Sequence, residues 1–356
     1  MTRSDPDSGV SQGGPAPRSA RLTVRQVVPE TVDAVSLVFD RPADPRFTHR
    51  AGQFLTLRLP SGRTGSVARC YSLSSAPHDQ ELAVTVKRTP GGLGSNWVCD
   101  NLTPGDTIEV LPPSGTFVPA SVDDDLLLVG AGSGITPLMS ILRTALERGT
   151  ASVILFYANR DQGSVIFADS LRELTARHPD RLTVIHWFSS VQGLPTAAGL
   201  RDLLEPYGGH DAFVCGPEPF MDTAHAALDE IGLPRDRIHT ERFTSLSGDP
   251  FDEPEVDRAS ASRDEVDTSG LTVSLDGQTH SLGWPRSLSL VDLLVAHDID
   301  VPYSCREGEC GSCVCTLVDG SVEMARCDTL DPADVADGYI LGCQSRPTSD
   351  HVVIEF

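Results

Sequence analysis

Three cysteines fall within nine positions of the stretch SCREGECGSC, at Cys305, Cys310 and Cys313, and a fourth, Cys343, stands well downstream in LGCQSRP. The spacing is Cys-x4-Cys-x2-Cys with one distant partner. Zinc sites usually bring their cysteines in close pairs on two knuckles. Three thiolates from one loop and one from afar is instead the ligand pattern of a 2Fe–2S cluster. Two irons bridged by two sulfides need four thiolates converging from one side. Gly308 and Gly311 let the loop wrap closely and aim backbone N–H groups at the sulfurs. The alternative is a zinc site or a set of buried free thiols. Cys315, Cys70, Cys99 and Cys327 read as small core hydrophobes.

Further stretches carry residue types suited to phosphate. In LLLVGAGSGITPLMS, Gly130, Gly132 and Gly134 lead into Thr136 and Pro137, and the glycines allow backbone to approach a pyrophosphate at a helix N-terminus. Position 135 is Ile, so the G-x-G-x-x-G spacing fails. In KRTPGGLGSNW, a glycine turn after Lys87 precedes Gly94, Ser95 and Asn96 and can offer donors to a second phosphate. RCYSLSSAP carries Arg69, Tyr71 and Ser72, the guanidinium being suited to a bidentate phosphate contact. CGPEPFM holds Cys215, Gly216 and Pro217, and HTERF holds Glu241 and Phe243.

The elements that must position these residues change rhythm along the chain. Residues 1–19 are polar with Gly and Pro and read as a disordered tail. Residues 20–121 are short β segments punctuated by Gly, Pro and Asp, the signature of a sandwich or barrel. Over residues 122–244 strands and helices alternate, which predicts a parallel sheet covered on both faces. Residues 245–268 are acidic with almost no apolar content and read as a linker. Residues 269–356 open with a hairpin turning at Asp276-Gly277, continue through a short helix and the cysteine loop, and close on the strand VVIEF.

PYSCREGECGSCVCTL together with LGCQSRP resembles the plant-type ferredoxins, over about residues 269–356. AGQF, RCYSLSSAP and KRTPGGLGSNW resemble the FAD-binding barrel of the ferredoxin–NADP reductase superfamily, and GAGSGITP and CGPEPFM resemble its nucleotide domain. The fold this implies is multidomain: an antiparallel β-barrel for FAD, an α/β parallel-sheet domain for NAD and an α+β, β-grasp 2Fe–2S domain. By resemblance Arg69 pairs with the FAD pyrophosphate, Tyr71 lies against the isoalloxazine and Ser72 sits near flavin N5. Gly94, Ser95 and Asn96 would meet that pyrophosphate from a helix start, the GGLGSN turn favours FAD over FMN, and Lys87 is a further cofactor contact. Gly130, Gly132, Gly134, Thr136, Pro137, Gly216 and Pro217 would hold the nicotinamide nucleotide, with Cys215 beside nicotinamide C4. Glu241 and Phe243 would approach the flavin. Asn159 and Arg160 end the second nucleotide-domain strand; Arg160 suits a 2′-phosphate but Asp161 repels it, which favours NADH over NADPH.

Barrel, nucleotide domain, linker and ferredoxin in this order resemble the reductases of Rieske-type and diiron oxygenases, and runs such as RTGSVARCYSL and YANRD point to those serving ketosteroid hydroxylases. The resemblance implies electron flow from NADH to FAD to 2Fe–2S and on to a terminal oxygenase of Rieske type that hydroxylates a steroid. A reductase of a phenylacetyl-CoA epoxidase or an aromatic-ring oxygenase, and a stand-alone electron carrier, are the alternatives. The net charge of −22 argues against nucleic acid and suits either a basic protein partner or solubility alone. Residues 269–356 hold 14 acidic and 4 basic residues, a net of −10. No membrane span is expected, because the most apolar stretch, 126–142, is broken by three glycines and a proline, and the cytoplasm is the expected location. The linker is long enough for the ferredoxin domain to swing.

Overall fold

The computed structural model describes residues 19–62, 65–246, 248–251, 268–275, 277–299, 301–327, 329–330 and 332–356. The tail over 1–18, most of the acidic linker and Asp276 of the expected hairpin turn lie outside the described residues.

Strands β1 (Ala20–Thr31), β2 (Ala34–Asp40), β3 (Phe54–Ser61), β4 (Gly65–Ser72), β5 (Glu81–Lys87) and β6 (Thr107–Ser114) form an antiparallel sheet in the order β4-β3-β6-β1-β2-β5. Its two edges meet where Leu73 bridges Val84, closing the sheet into a barrel. Leu55, Leu57 and Leu59 of β3 alternate into the interior against Leu37, Phe39 and Val110, and helix α1 (Leu93–Asn101) seals the core with Val98. The opposite face of the β3–β4 pair presents Phe54, Thr56 and Arg58 beside their register partners Ser72, Cys70 and Ala68.

Strands β7 (Leu126–Ala131), β8 (Val153–Asn159), β9 (Leu182–Phe188), β10 (Asp211–Cys215) and β11 (Ile238–Glu241) form a parallel sheet ordered β11-β10-β7-β8-β9. Leu126, Leu128, Leu155 and Phe213 pack on one face with α2 (Ile135–Arg148) and α3 (Ala168–Arg177). Beyond the short α4 (Ser189–Gln192), α5 (Ala197–Leu204) and α6 (Glu218–Ile231) cover Leu127, Val129, Ile154 and Val214 on the other face. Burial on both sides explains why these strands read as unbroken apolar runs. The chain leaves β7 for β8 on one side and returns as β10 on the other, so the crevice at their carboxyl ends is the topological switch point where α/β sheets bind ligands. Arg143 of α2 clamps this domain to the barrel with two hydrogen bonds to Asp79, at 2.6 and 2.9 Å.

In the last domain β12 (Thr268–Leu275), β13 (Gln278–Pro285), β14 (Val314–Asp319), β16 (Tyr339–Leu341) and β18 (His351–Glu355) make a mixed sheet ordered β13-β12-β18-β14-β16, with β12 and β18 parallel. β15 (Val322–Met324) and β17 (Ser345–Pro347) make a separate ribbon. Helix α7 (Leu290–Ala296), capped by the Ser289 hydroxyl accepting from the Asp292 N–H, lays Leu290, Val291, Leu293 and Leu294 into the core beside Trp284 and Ile340. Cys315 is buried in that core as a small hydrophobe. Helix α8 (Pro332–Ala336) precedes β16.

The start of the expected linker is not free. Leu246 is buried against Ala68 and Cys305, Asp249 pairs with Arg58 at 3.1 Å, and the Arg58 guanidinium lies over the Phe251 ring. Through Leu246, Asp249 and Phe251 the described residues 245–246 and 248–251 lie on the barrel as a strap.

Candidate functional site

The four sequence-assigned cysteines converge. The Cys305 N–H lies 3.4 Å from Cys310 Sγ, the Glu307 N–H 3.3 Å from Cys305 Sγ and the Cys343 N–H 3.4 Å from Cys313 Sγ. The thiols form two neighbouring pairs, Cys305 with Cys310 and Cys313 with Cys343, each suited to one iron. Hydrogen bonding within each pair holds Cys310 and Cys343 below the ordinary thiol value and raises Cys305 and Cys313. The wrap depends on left-handed backbone at Arg306, Gly308 and Gly311. A β-carbon on Gly308 would come within 3.0 Å of the Gln344 side chain and 3.1 Å of the Arg326 carbonyl, so the close approach requires glycine. Four thiols with backbone donors aimed at three of the sulfurs fit a 2Fe–2S cluster.

This loop abuts the barrel. A narrow cleft is lined by Phe54, Cys70 and Ser72 from the barrel, by 241–244 at and beyond the end of β11, and by Glu309 and Cys310 from the cysteine loop. Ser72, Glu241 and Phe243 therefore meet in one place, together with Cys310 of the cysteine loop. Burial pushes the Glu241 carboxyl up to about 8. Cys215 stands beside Glu241 as its register partner on β10 but does not line the cleft; it is fully buried, and burial raises its thiol well above the ordinary value. Phe243 is 48% exposed, so it reaches the cleft from the solvent side.

Arg69 and Tyr71 come together over the start of α1, where a β-carbon on Gly94 would lie 2.9 Å from Arg69 Cγ and 3.4 Å from the Tyr71 hydroxyl. Arg69 donates to the Ala68 and Leu246 carbonyls. The side chains of Ser95 and Asn96 turn to their own loop: Ser95 accepts from the Thr89 N–H and Asn96 donates to the Thr89 carbonyl. Any contact these two make with a phosphate is then left to their backbone. No side chain caps α1, and the glycine cradle beside Arg69 and Tyr71 fits a dinucleotide phosphate.

At the switch point Gly130, Gly132 and Gly134 leave β7, and the Tyr157 hydroxyl holds the turn by donating to the Gly132 carbonyl at 2.9 Å. Thr136 and Pro137 sit in the first turn of α2, and the Thr136 hydroxyl closes the loop onto the Ser133 carbonyl. Gly216 packs against Ala131 and Phe220, and Pro217 leads into α6. Lys87 reaches this loop from the barrel, its Nζ lying 3.8 Å from the β-carbon position of Gly132. Asn159 is buried at the end of β8 beside the Tyr157 phenol, its carboxamide without a well-formed hydrogen bond, an orphan that suits a polar ligand. Arg160, in contrast, is engaged by Asp161 at 3.0 Å and Ser164 at 3.1 Å.

Cys70 packs as a small hydrophobe against Ala68, Leu246 and Cys305, its thiol pushed up to about 12 by burial, and it also lines the cleft. The signal was present in the period of two: Cys70 and Ser72 share one face of β4, Arg69 and Tyr71 the other.

A barrel with a phosphate cradle, a parallel sheet with a glycine turn at its switch point and a four-thiol loop on their shared cleft define a flavin- and nicotinamide-dependent oxidoreductase with its own 2Fe–2S domain. Residues 19–118 match the oxidoreductase FAD-binding domain, 128–226 the oxidoreductase NAD-binding domain and 273–348 the 2Fe-2S iron-sulfur cluster binding domain. The chain is 58% identical to the 3-ketosteroid-9-alpha-monooxygenase, ferredoxin reductase component, of Rhodococcus rhodochrous, across 95% of this chain and 97% of that one. It is 33% identical to one of the subunits of the 1,2-phenylacetyl-CoA epoxidase of Escherichia coli, across 94% and 97%. The solved structure of phthalate dioxygenase reductase superposes with a TM-score of 0.56 at 25% identity, over 95% of this chain and 98% of that one. The chain belongs to the family of the 3-ketosteroid-9-alpha-monooxygenase ferredoxin reductase components.

Proposed function

We propose that this chain oxidises NADH and passes the electrons through FAD and a 2Fe–2S cluster to a Rieske-type terminal oxygenase that hydroxylates a 3-ketosteroid. The observation that carries the electron order is the cleft shared by Ser72 and Glu241 on one side and the cluster ligand Cys310 on the other. The 58% identity to a ketosteroid monooxygenase reductase component supports the partner. Bound FAD and cluster supply the conversion of a two-electron hydride donor into a one-electron source.

The residues of this chain have separable tasks. Gly130, Gly132 and Gly134 bring backbone up to the nucleotide pyrophosphate, with Lys87 as the cation beside them. Thr136 shapes the turn through its bond to the Ser133 carbonyl, and Gly216 and Pro217 border the nicotinamide end. Cys215, neutral and fully buried, packs there without serving as a nucleophile. Arg69 would hold the flavin's phosphate side, Tyr71 would lie against the isoalloxazine, and Ser72, Glu241 and Phe243 would border its reacting side. Glu241 keeps a carboxyl proton at neutral pH because ionisation there is opposed by burial. NADH is favoured over NADPH because Arg160, the cation that would meet a 2′-phosphate, is already paired with Asp161. Cys305, Cys310, Cys313 and Cys343 ligate the cluster.

The acidic charge suits a basic face on the oxygenase, and no helix among the described residues is long and apolar enough to cross a membrane. Nine free cysteines suit the reducing cytoplasm. The test is reconstitution: the purified protein and NADH with a 3-ketosteroid oxygenase and, in parallel, with an aromatic-ring oxygenase and a phenylacetyl-CoA epoxidase. Product formed per NADH with the steroid enzyme alone is the expected result. Equal coupling with all three, or coupling with the epoxidase alone, would overturn the steroid partner while leaving the reductase in place.

A further inference from the structure

The cysteine loop is tied to the barrel by a hydrogen bond that spans nearly the whole chain. Thr56 Oγ1 lies 3.0 Å from Ser304 Oγ, 248 residues away in sequence. Both residues are buried, at 1% and 2% exposure. Thr56 faces away from the barrel interior beside its register partner Cys70, and Ser304 immediately precedes the cluster ligand Cys305. Thr56 Oγ1 also lies 3.5 Å from Cys70 Sγ, so its hydroxyl joins β3, β4 and the cysteine loop in one buried contact. The strap supports the same seat. The Asp249 carboxylate accepts from the Ser66 hydroxyl at 2.6 Å and pairs with Arg58, Leu246 fills the gap between Ala68 and Cys305, and the Gly248 N–H donates to the Glu307 carboxylate. A β-carbon on Gly311 would lie 3.4 Å from Thr116 Oγ1, so the loop touches the barrel at a second place.

We propose that Thr56 and Ser304 are the positioning pair that seats the cluster loop against the flavin cleft, and that electrons cross from flavin to cluster in this seated arrangement without a swing of the ferredoxin domain. The proposal rests on the flavin-to-cluster order given above. Neither residue lines the cleft, so the pair acts through its neighbours, Ser304 by placing Cys305 and Cys310 and Thr56 also through its contact with the cleft residue Cys70.

The test uses the FAD- and cluster-loaded protein with Thr56→Val, Ser304→Ala, the double variant and the conservative Thr56→Ser. Anaerobic stopped-flow separates flavin reduction by NADH from subsequent cluster reduction. Hydrogen–deuterium exchange over 302–311 reports the seat itself, and iron content and the cluster's electron-paramagnetic signature report its integrity. The expected result is unchanged flavin reduction, cluster reduction slowed by about tenfold or more, raised exchange over 302–311 in Thr56→Val, and recovery of both in Thr56→Ser. Wild-type cluster reduction in Thr56→Val and the double variant would overturn the proposal, as would slower reduction with unchanged exchange. If the unmodified protein's flavin is reduced but its cluster is not, the electron order fails and the proposal fails with it.

Discussion

A β-carbon on Gly134 would stand 2.0 Å from the carbonyl oxygen of Cys215, so the glycine turn after β7 can press against the end of β10 only because position 134 has no side chain. That contact brings the turn to the strand end carrying Cys215, Gly216 and Pro217. Gly134→Ala must push the two apart, at a cost of about 1–3 kcal/mol for an overpacked site. Thermal melts should show the loss of stability, and titration should show a raised KM for NADH with FAD content retained. A variant with unaltered melting and KM would show that the turn is not held as described.

Cys310→Ser removes one ligand from the Cys305–Cys310 pair and should abolish the cluster. NADH-to-dye reduction should persist, because neither the glycine turn nor the Arg69 cradle is touched, whereas reduction of an oxygenase should fall to background. Iron analysis beside the two assays decides it. Loss of dye reduction with the flavin still bound would contradict the order of carriers.

Glu241 gives the protein a pH dependence of definite sign. Its carboxyl has an ordinary value of 4.5 and is raised to about 8 by burial. Between those values the folded protein holds a proton that the unfolded chain releases, so stability declines as pH rises through this window and levels off above it. In Glu241→Gln this contribution is absent, and the melting temperature should fall less between about pH 5 and about pH 9. Melts of the two proteins across that range that run parallel would show the carboxyl to be hydrated.

Asp161→Ala frees Arg160, which now bonds Asp161 and Ser164. The ratio of kcat/KM for NADH over NADPH should drop by about tenfold, equivalent to about 1.4 kcal/mol. An unchanged ratio would place the nucleotide discrimination elsewhere.

The convergence of four cysteines was legible because the loop is local: three of them and two left-handed glycines fall within nine residues, a spacing suited to a 2Fe–2S cluster. The parallel sheet was legible for a similar reason, since burial on both faces writes an apolar run into each strand. The glycine turn announced its phosphate chemistry, but not that Thr136, Ser95 and Asn96 would turn their side chains to their own loops, which depends on the fold of each turn.

What lies between the domains was not legible. Leu246 and Phe251 looked incidental in an acidic stretch and proved to be the contacts that bind it to the barrel. Cys70 packs as the buried thiol the sequence suggested, but that it also lines the cleft follows only from the fold. The sequence by itself determined which cofactors this chain is built to hold, because those signals are short-range and tied to spacing. Only the tertiary structure decided that the barrel and the cysteine loop share one cleft, because a pair such as Thr56 and Ser304 meets across 248 residues through packing that no local period encodes.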